Sequence, residues 1–92
     1  MGIEKKLERR CTDIAKAKDW WTRKFVSPSN RGVPDRIFIR KGDVLFIEFK
    51  APGNDLSPLQ ADCIDRMQTH GANVYVVDSV DKFKALLKLF NG

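Results

Sequence analysis

Pro34-Asp35-Arg36-Ile37-Phe38-Ile39-Arg40, then Lys41-Gly42, then Asp43-Val44-Leu45-Phe46-Ile47-Glu48-Phe49-Lys50 is the stretch on which the fold depends. Its two apolar runs, residues 36–40 and 44–49, flank a short turn signal, the pattern of an antiparallel hairpin. Neither run alternates cleanly between apolar and polar residues. Phe38, Leu45, Ile47 and Phe49 fall on one face and Ile37, Ile39, Val44 and Phe46 on the other, which predicts a hairpin covered on both faces at the centre of a sheet. With Lys41-Gly42 as a two-residue turn, Arg40 faces Asp43, Ile39 faces Val44, Ile37 faces Phe46, and Asp35 faces Glu48. Side chains alternate with a period of two, so Lys50 projects from the face of Glu48, one step along. A slip of one residue would send Asp35 to the other face.

Outward from the hairpin, Ile3, Leu7, Cys11, Ile14 and Ala15 recur at spacings of three and four, which predicts an amphipathic helix over residues 3–18 with a basic polar face. Residues 20–26 are aromatic and β-branched and read as a strand running into the turn formers Ser27-Pro28-Ser29-Asn30-Arg31-Gly32. Beyond the loop at residues 51–55, Ser57-Pro58-Leu59-Gln60 supplies an N-cap serine, a proline at the first helical position and a glutamine at the third. That combination starts a helix running to about His70, where Gly71 can end it. Residues 73–78 read as a strand and 80–90 as a closing helix. The expected fold is α/β, a mixed central sheet flanked by helices in the order α-β-β-β-α-β-α, formed by residues 1–92 as a single domain.

The chain has 92 residues, 42% hydrophobic and 32% charged, a globular balance that leaves no room for a second core. A formal charge of +5 implies attraction to polyanions, nucleic acid being the commonest, although ribosomal and membrane-surface proteins share the property. Cys11 and Cys63 lack the paired spacing of zinc sites and read as buried thiols of a reducing compartment. The first residues have no apolar core of signal-peptide length, and no run approaches the roughly 20 apolar residues of a membrane span. The expectation is a soluble, cytoplasmic protein without membrane contact.

Two carboxylates facing each other at a sheet end repel, and a divalent cation with oxygen ligands relieves the repulsion, magnesium being the default hard ion. Such an ion activates water and neutralises charge on a phosphate undergoing in-line displacement, and a neighbouring lysine orients or deprotonates that water or stabilises the transition state. Pro34-Asp35, twelve residues, then Glu48-Phe49-Lys50 matches the PD-(D/E)xK nuclease signature. Lys24-Phe25-Val26-Ser27-Pro28, Arg31-Gly32-Val33-Pro34-Asp35-Arg36, Phe46-Ile47-Glu48-Phe49-Lys50-Ala51-Pro52-Gly53 and Leu56-Ser57-Pro58-Leu59-Gln60 make the resemblance more specific. The sequence resembles the virus-type replication-repair nuclease (VRR-NUC) subfamily, from about Glu8 to Val77. That resemblance implies a restriction-endonuclease-like core, a magnesium or manganese cofactor without a small-molecule one, and endonucleolytic cleavage of DNA, branched or flapped, in replication, recombination or repair. It places the metal-binding acids on Asp35 and Glu48, the catalytic lysine on Lys50 and a conserved helix glutamine on Gln60. It also implies a metal-binding glutamate on the first helix, for which Glu8 keeps the better spacing and Glu4, one turn earlier on the same face, is the alternative.

Each candidate has a plainer reading. Ser57 and Gln60 together form a capping box that would use the same glutamine side chain. Glu8 can pair with neighbouring Lys5 or Arg9 in solvent. Ser27, Ser29, Asn30 and Arg31 have the hydroxyls, amide and guanidinium to contact a phosphate backbone, or make an ordinary loop. Lys5, Lys6, Arg9, Arg10, Lys16 and Lys18 make either a phosphate-tracking face or a solubilising one. His70 suits a helix C-terminus rather than catalysis, and one of Trp20 and Trp21 belongs to the core. Cutting both strands of a junction needs two sites, so a two-fold homodimer is expected. The rivals are a non-catalytic DNA-binding module and an RNA-directed basic protein.

Overall fold

The computed structural model describes residues 2–90; Met1 and residues 91–92 lie outside the described residues. Three helices and four strands follow in the expected order: α1 (Ile3–Ala17), β1 (Trp21–Lys24), β2 (Arg36–Arg40), β3 (Asp43–Phe49), α2 (Pro58–Thr69), β4 (Asn73–Val77) and α3 (Val80–Lys88). The four-stranded sheet is ordered β1-β2-β3-β4, with β1–β2 and β2–β3 antiparallel and β3–β4 parallel. A parallel step needs a crossover, and α2 supplies it. No described helix is long and apolar enough to cross a membrane.

Lys41 (φ 50°) and Gly42 (φ 86°) both take positive φ, as a two-residue type I′ turn demands. The register follows from that turn: Arg40 pairs with Asp43, Ile39 with Val44, Ile37 with Phe46 and Arg36 with Ile47. One step further brings Asp35 opposite Glu48. β1 closes at Lys24, two residues earlier than its composition indicates, but the ladder continues in part because the Phe25 amide donates to the Asp35 carbonyl at 2.9 Å.

The sheet's two faces are covered unequally, which corrects the expectation of a hairpin buried on both sides. Phe38, Leu45, Ile47 and Phe49 are buried completely or nearly so, packed with Leu7, Cys11 and Ala15 of α1 and with Phe83, Leu86 and Leu87 of α3. Ile37, Ile39, Val44 and Phe46 are only half-buried. The second face has α2 alone, lying towards β4, where Ile64 and Val74 are buried. Trp20 enters the core while Trp21 stays half exposed under the Arg23 guanidinium, 4.7 Å from its ring. Cys11 is buried, its thiol pushed up to about 12 by burial, but Cys63 on α2 is only half-buried, against the expectation for both thiols.

α1 ends where Asp19 takes a left-handed conformation (φ 69°), with the Asp19 amide on the Lys16 carbonyl and the Trp20 amide on the Ala15 carbonyl, both at 3.0 Å. This is the Schellman arrangement with aspartate in glycine's usual place. It turns the chain sharply into β1 and so lays α1 over the sheet.

Because the turn sets the register, its backbone demands should be visible in stability. Gly42→Ala is expected to lower stability by about 1–2 kcal/mol, since a Cβ disfavours left-handed backbone. Lys41→Asn should restore several tenths of a kcal/mol, asparagine tolerating that region better. Urea-unfolding midpoints of the two variants and the wild type check both signs.

Candidate active site

The end of the β2–β3 ladder, beyond Arg36 and Ile47, gathers the ionisable residues. Pro34 is buried and feeds the chain into β2, so Asp35 is held by its neighbours on both sides. Its carbonyl takes the Phe25 amide, and its carboxylate Oδ2 accepts the Phe49 amide at 2.8 Å. Burial raises the Asp35 pKa from the ordinary carboxylate value; the Phe49 amide opposes it, Glu8 adds to it, and Lys24 and Lys50 oppose it.

Glu48 is 2% exposed. Its Oε2 accepts the Gln60 amide nitrogen at 3.1 Å and lies 3.6 Å from Lys50 Nζ, while its Oε1 is buried without a hydrogen-bond partner. The carboxyl is pushed up to about 7, first by burial and then by the charge of Asp35, with Lys50 opposing through both charge and hydrogen bond and Glu4 adding a little. Lys50 is itself mostly buried, its side chain 15% exposed, and its amide extends the β3–β4 ladder by donating to the Val77 carbonyl at 3.0 Å. Lysine, glutamine and both acids are thus fixed by backbone hydrogen bonds or packing before any ligand arrives.

Gln60 makes the cap contact and also a contact with the candidate site, two readings set against each other in the sequence. Its Oε1 accepts the Ser57 amide at 2.9 Å in a complete capping box, and its Nε2 donates to Glu48. An amide has an acceptor at one end and a donor at the other, so cap and site contact coexist.

Glu8 reaches the same end of the sheet from α1. It is 9% exposed, and its Oε2 lies 2.8 Å from Lys24 Nζ and 3.2 Å from Arg36, not paired with Lys5 or Arg9 as its plainer reading had it. Arg36 also donates to the Thr22 hydroxyl at 3.2 Å. Lys24 and Arg36 sit directly opposite each other in the β1–β2 register, a like-charge pair that Glu8 neutralises. Sequence reasoning missed these two cations. The signal was the β1 register, which no turn of defined length fixes.

Alternation puts Lys24 and Arg36 on the α1 face of the sheet, whereas Glu48, Lys50 and Gln60 lie on the α2 face, with Asp35 at the sheet end where the two meet. A hollow of about 670 Å³ opens there, lined among others by Glu4, Glu8, Lys24, Asp35 and Asn54, while Glu48 stands outside its lining. Among the described residues no three acidic, histidine or cysteine side chains converge into a preformed metal cage. An oxygen-seeking cation nonetheless suits the donor set, because Glu48 Oε1 is a buried carboxylate atom with nothing to bind.

Of the loop residues, Ser27, Asn30 and Arg31 line a second hollow that contains Lys24 and Asp35, and Ser29 does not. Asn30 is partly committed to the loop itself, accepting the Gly32 amide at 2.8 Å and directing its Nδ2 to Cys63 Sγ at 3.8 Å. Gly32 lets this loop rest on α2, since a Cβ there would stand 2.4 Å from the Leu59 carbonyl oxygen. Lys5 and Arg9 are exposed along α1. His70 is exposed at the end of α2, its ring against the Arg66 carbonyl.

The raised Glu48 pKa couples stability to pH in metal-free protein. A carboxyl whose folded value lies near 7 and whose ordinary value is 4.5 contributes stability that is complete below about 4.5 and lost as pH rises through about 7. In chelator, wild type should lose up to about 3 kcal/mol relative to Glu48→Gln between about pH 4.5 and pH 8. Denaturant midpoints across that range check it; parallel curves for the two proteins would contradict the electrostatic account.

Comparisons with known proteins bear on the family and the fold. The sequence model of the VRR-NUC domain matches residues 5–81. A curated protein of Acyrthosiphon pisum secondary endosymbiont phage 1, named "Putative nuclease p44", is 46% identical over 59 residues, which cover 63% of this chain and 63% of that protein. Two solved structures share the fold. One, titled "VRR_NUC domain", superposes with a TM-score of 0.89 at 24% identity over 96% of this chain and 97% of its own. The other, a "VRR_NUC domain protein", gives a TM-score of 0.77 at 19% identity over 92% and 84%.

Proposed function

This chain belongs to the VRR-NUC family of nuclease domains, and from that premise we propose that it is a divalent-metal-dependent endonuclease hydrolysing DNA phosphodiester bonds. The observation that carries the reading is Glu48, a carboxylate at 2% exposure, beside Asp35 and Lys50, with one oxygen left without a partner. A buried carboxylate with one oxygen unpartnered is costly unless it takes a proton or a further cation joins Lys50 beside it. Asp35 and Glu48 would hold magnesium or manganese; Glu8 is the third candidate ligand, its carboxylate already engaged by Lys24 and Arg36. When bound, the ion lowers the pKa of a water and neutralises charge on the phosphate.

The chain's own residues do the rest. Lys50 orients the attacking water, or accepts its proton, and its charge stabilises the pentacovalent phosphorane. Gln60 fixes the Glu48 carboxylate by its hydrogen bond, so the acid keeps one orientation as charge builds up. The water oxygen forms a bond to phosphorus, the bridging bond to the leaving sugar oxygen breaks, and a proton returns to that oxygen. Family resemblance supports branched or flapped DNA, including Holliday junctions, as the substrate in replication, recombination or repair.

Glu48→Ala and Lys50→Ala should each reduce cleavage of a labelled junction by about 10²-fold or more while DNA binding is retained. EDTA should abolish cleavage by wild type and excess magnesium restore it. Normal cutting by both variants would remove the mechanism, and cutting in EDTA would remove the metal.

One site and two strands argue for a two-fold homodimer. The half-covered sheet face, with Trp21, Ile37, Ile39 and Val44 incompletely buried, leaves apolar surface available for it. Light scattering during size exclusion should give twice the monomer mass, and a monomer at the concentration used for cleavage would refute the arrangement.

A further inference from the structure

A third hollow, about 440 Å³, runs along α1 from the candidate active site. Lys5, Glu8 and Lys24 line both hollows, so the two share a wall. The groove adds the cations Arg9, Lys16 and Arg36 to Lys5 and Lys24, against the acids Glu8 and Asp13. Glu8 is already neutralised from within by Lys24 and Arg36. Lys5, Arg9 and Lys16 therefore face the groove with exposed side chains and Asp13 as their remaining counter-charge.

The structure also sorts the six basic residues of the α1 region. Lys5, Arg9 and Lys16 line the groove, whereas Lys6, Arg10 and Lys18 do not. Lys5 and Lys16 are eleven residues apart on one helix, which is about 16 Å of axial rise. Projected on a duplex axis, that length corresponds to about five nucleotide steps of one strand at about 3.4 Å of rise each. Here β1 and β2 contribute one further cation each to the same channel, and one end of it opens beside Asp35.

We infer that the α1 groove is the track for the DNA sugar-phosphate backbone, carrying it from the candidate active site along Lys5, Arg9 and Lys16. The inference rests on the nuclease reading, since it extends that site to the strand beyond the cleaved bond. Lys24, lining both hollows, sits where the track meets the chemistry. Thr12 in the same wall is buried and turned back on the Glu8 carbonyl at 2.7 Å, so the phosphate contacts fall to the cations.

The test compares Arg9→Ala/Lys16→Ala with a charge-matched control, Lys84→Ala/Lys88→Ala, whose lysines are exposed on α3 away from both hollows. Fluorescence anisotropy follows a labelled DNA hairpin with calcium replacing magnesium, between about 50 and 200 mM salt. In the groove variant the slope of log K against log salt should flatten by about 0.9 per lost contact, about 1.8 in all, while the control keeps the wild-type slope. Equal flattening in both variants, or an unchanged slope in the groove variant, overturns the track. With a parallel cleavage assay in magnesium, wild type that cleaves DNA while the groove variant binds normally in calcium removes the track alone; wild type that neither binds nor cleaves removes the nuclease reading with it. Matching circular dichroism spectra exclude misfolding as the cause.

Discussion

The Phe49 amide donates to the Asp35 carboxylate at 2.8 Å, and that bond joins the last rung of the β2–β3 ladder to the first polar group of the candidate site. It works only because the Lys41-Gly42 turn sets the register that brings Asp35 beside Phe49. The ladder, in turn, is held by Phe38, Leu45, Ile47 and Phe49 sealed against α1 and α3. Apolar packing therefore decides where the charges stand, and the charges remain unfavourably placed until something answers them. Glu48 is the clearest case: burial and Asp35 raise its pKa, and Lys50 at 3.6 Å offsets only part of that.

The hairpin was legible because a two-residue turn and a period of two leave one register once both faces are defined. From it the opposition of Asp35 and Glu48, and the placement of Lys50, could be counted out residue by residue. The N-terminus of α2 was legible for a similar reason, Ser57, Pro58 and Gln60 being local signals that need no tertiary context. What the residues did not disclose was long-range. The partners of Glu8 lie 16 and 28 positions away on strands joined by an irregular loop, so no periodicity points to Lys24 or Arg36. Unequal cover of the sheet escaped for the same cause: apolar runs reveal that a face is hydrophobic, whereas only the packing of α2 towards β4 reveals how much of it is roofed.

Gln60 illustrates where opposing readings of one residue dissolve. Local hydrogen bonding to the helix start and long-range hydrogen bonding to Glu48 were treated as competitors, yet they use different atoms of the amide. The cap holds the side chain in one rotamer, and that rotamer presents the nitrogen to the carboxylate. A helix-capping residue thereby becomes a rigid support for a buried acid at no additional ordering cost.

The polar groups approach the sheet end from opposite sides, Glu8 with α1 and Gln60 with α2. Neither helix alone assembles the constellation, and the two are far apart along the chain, so the centre exists only after the whole molecule has closed around the strands. A partly unravelled polypeptide would carry every candidate residue and yet lack the assembled site. For a nuclease domain, that dependence ties the candidate centre to the closed fold, so loosening either helix from the sheet dismantles it.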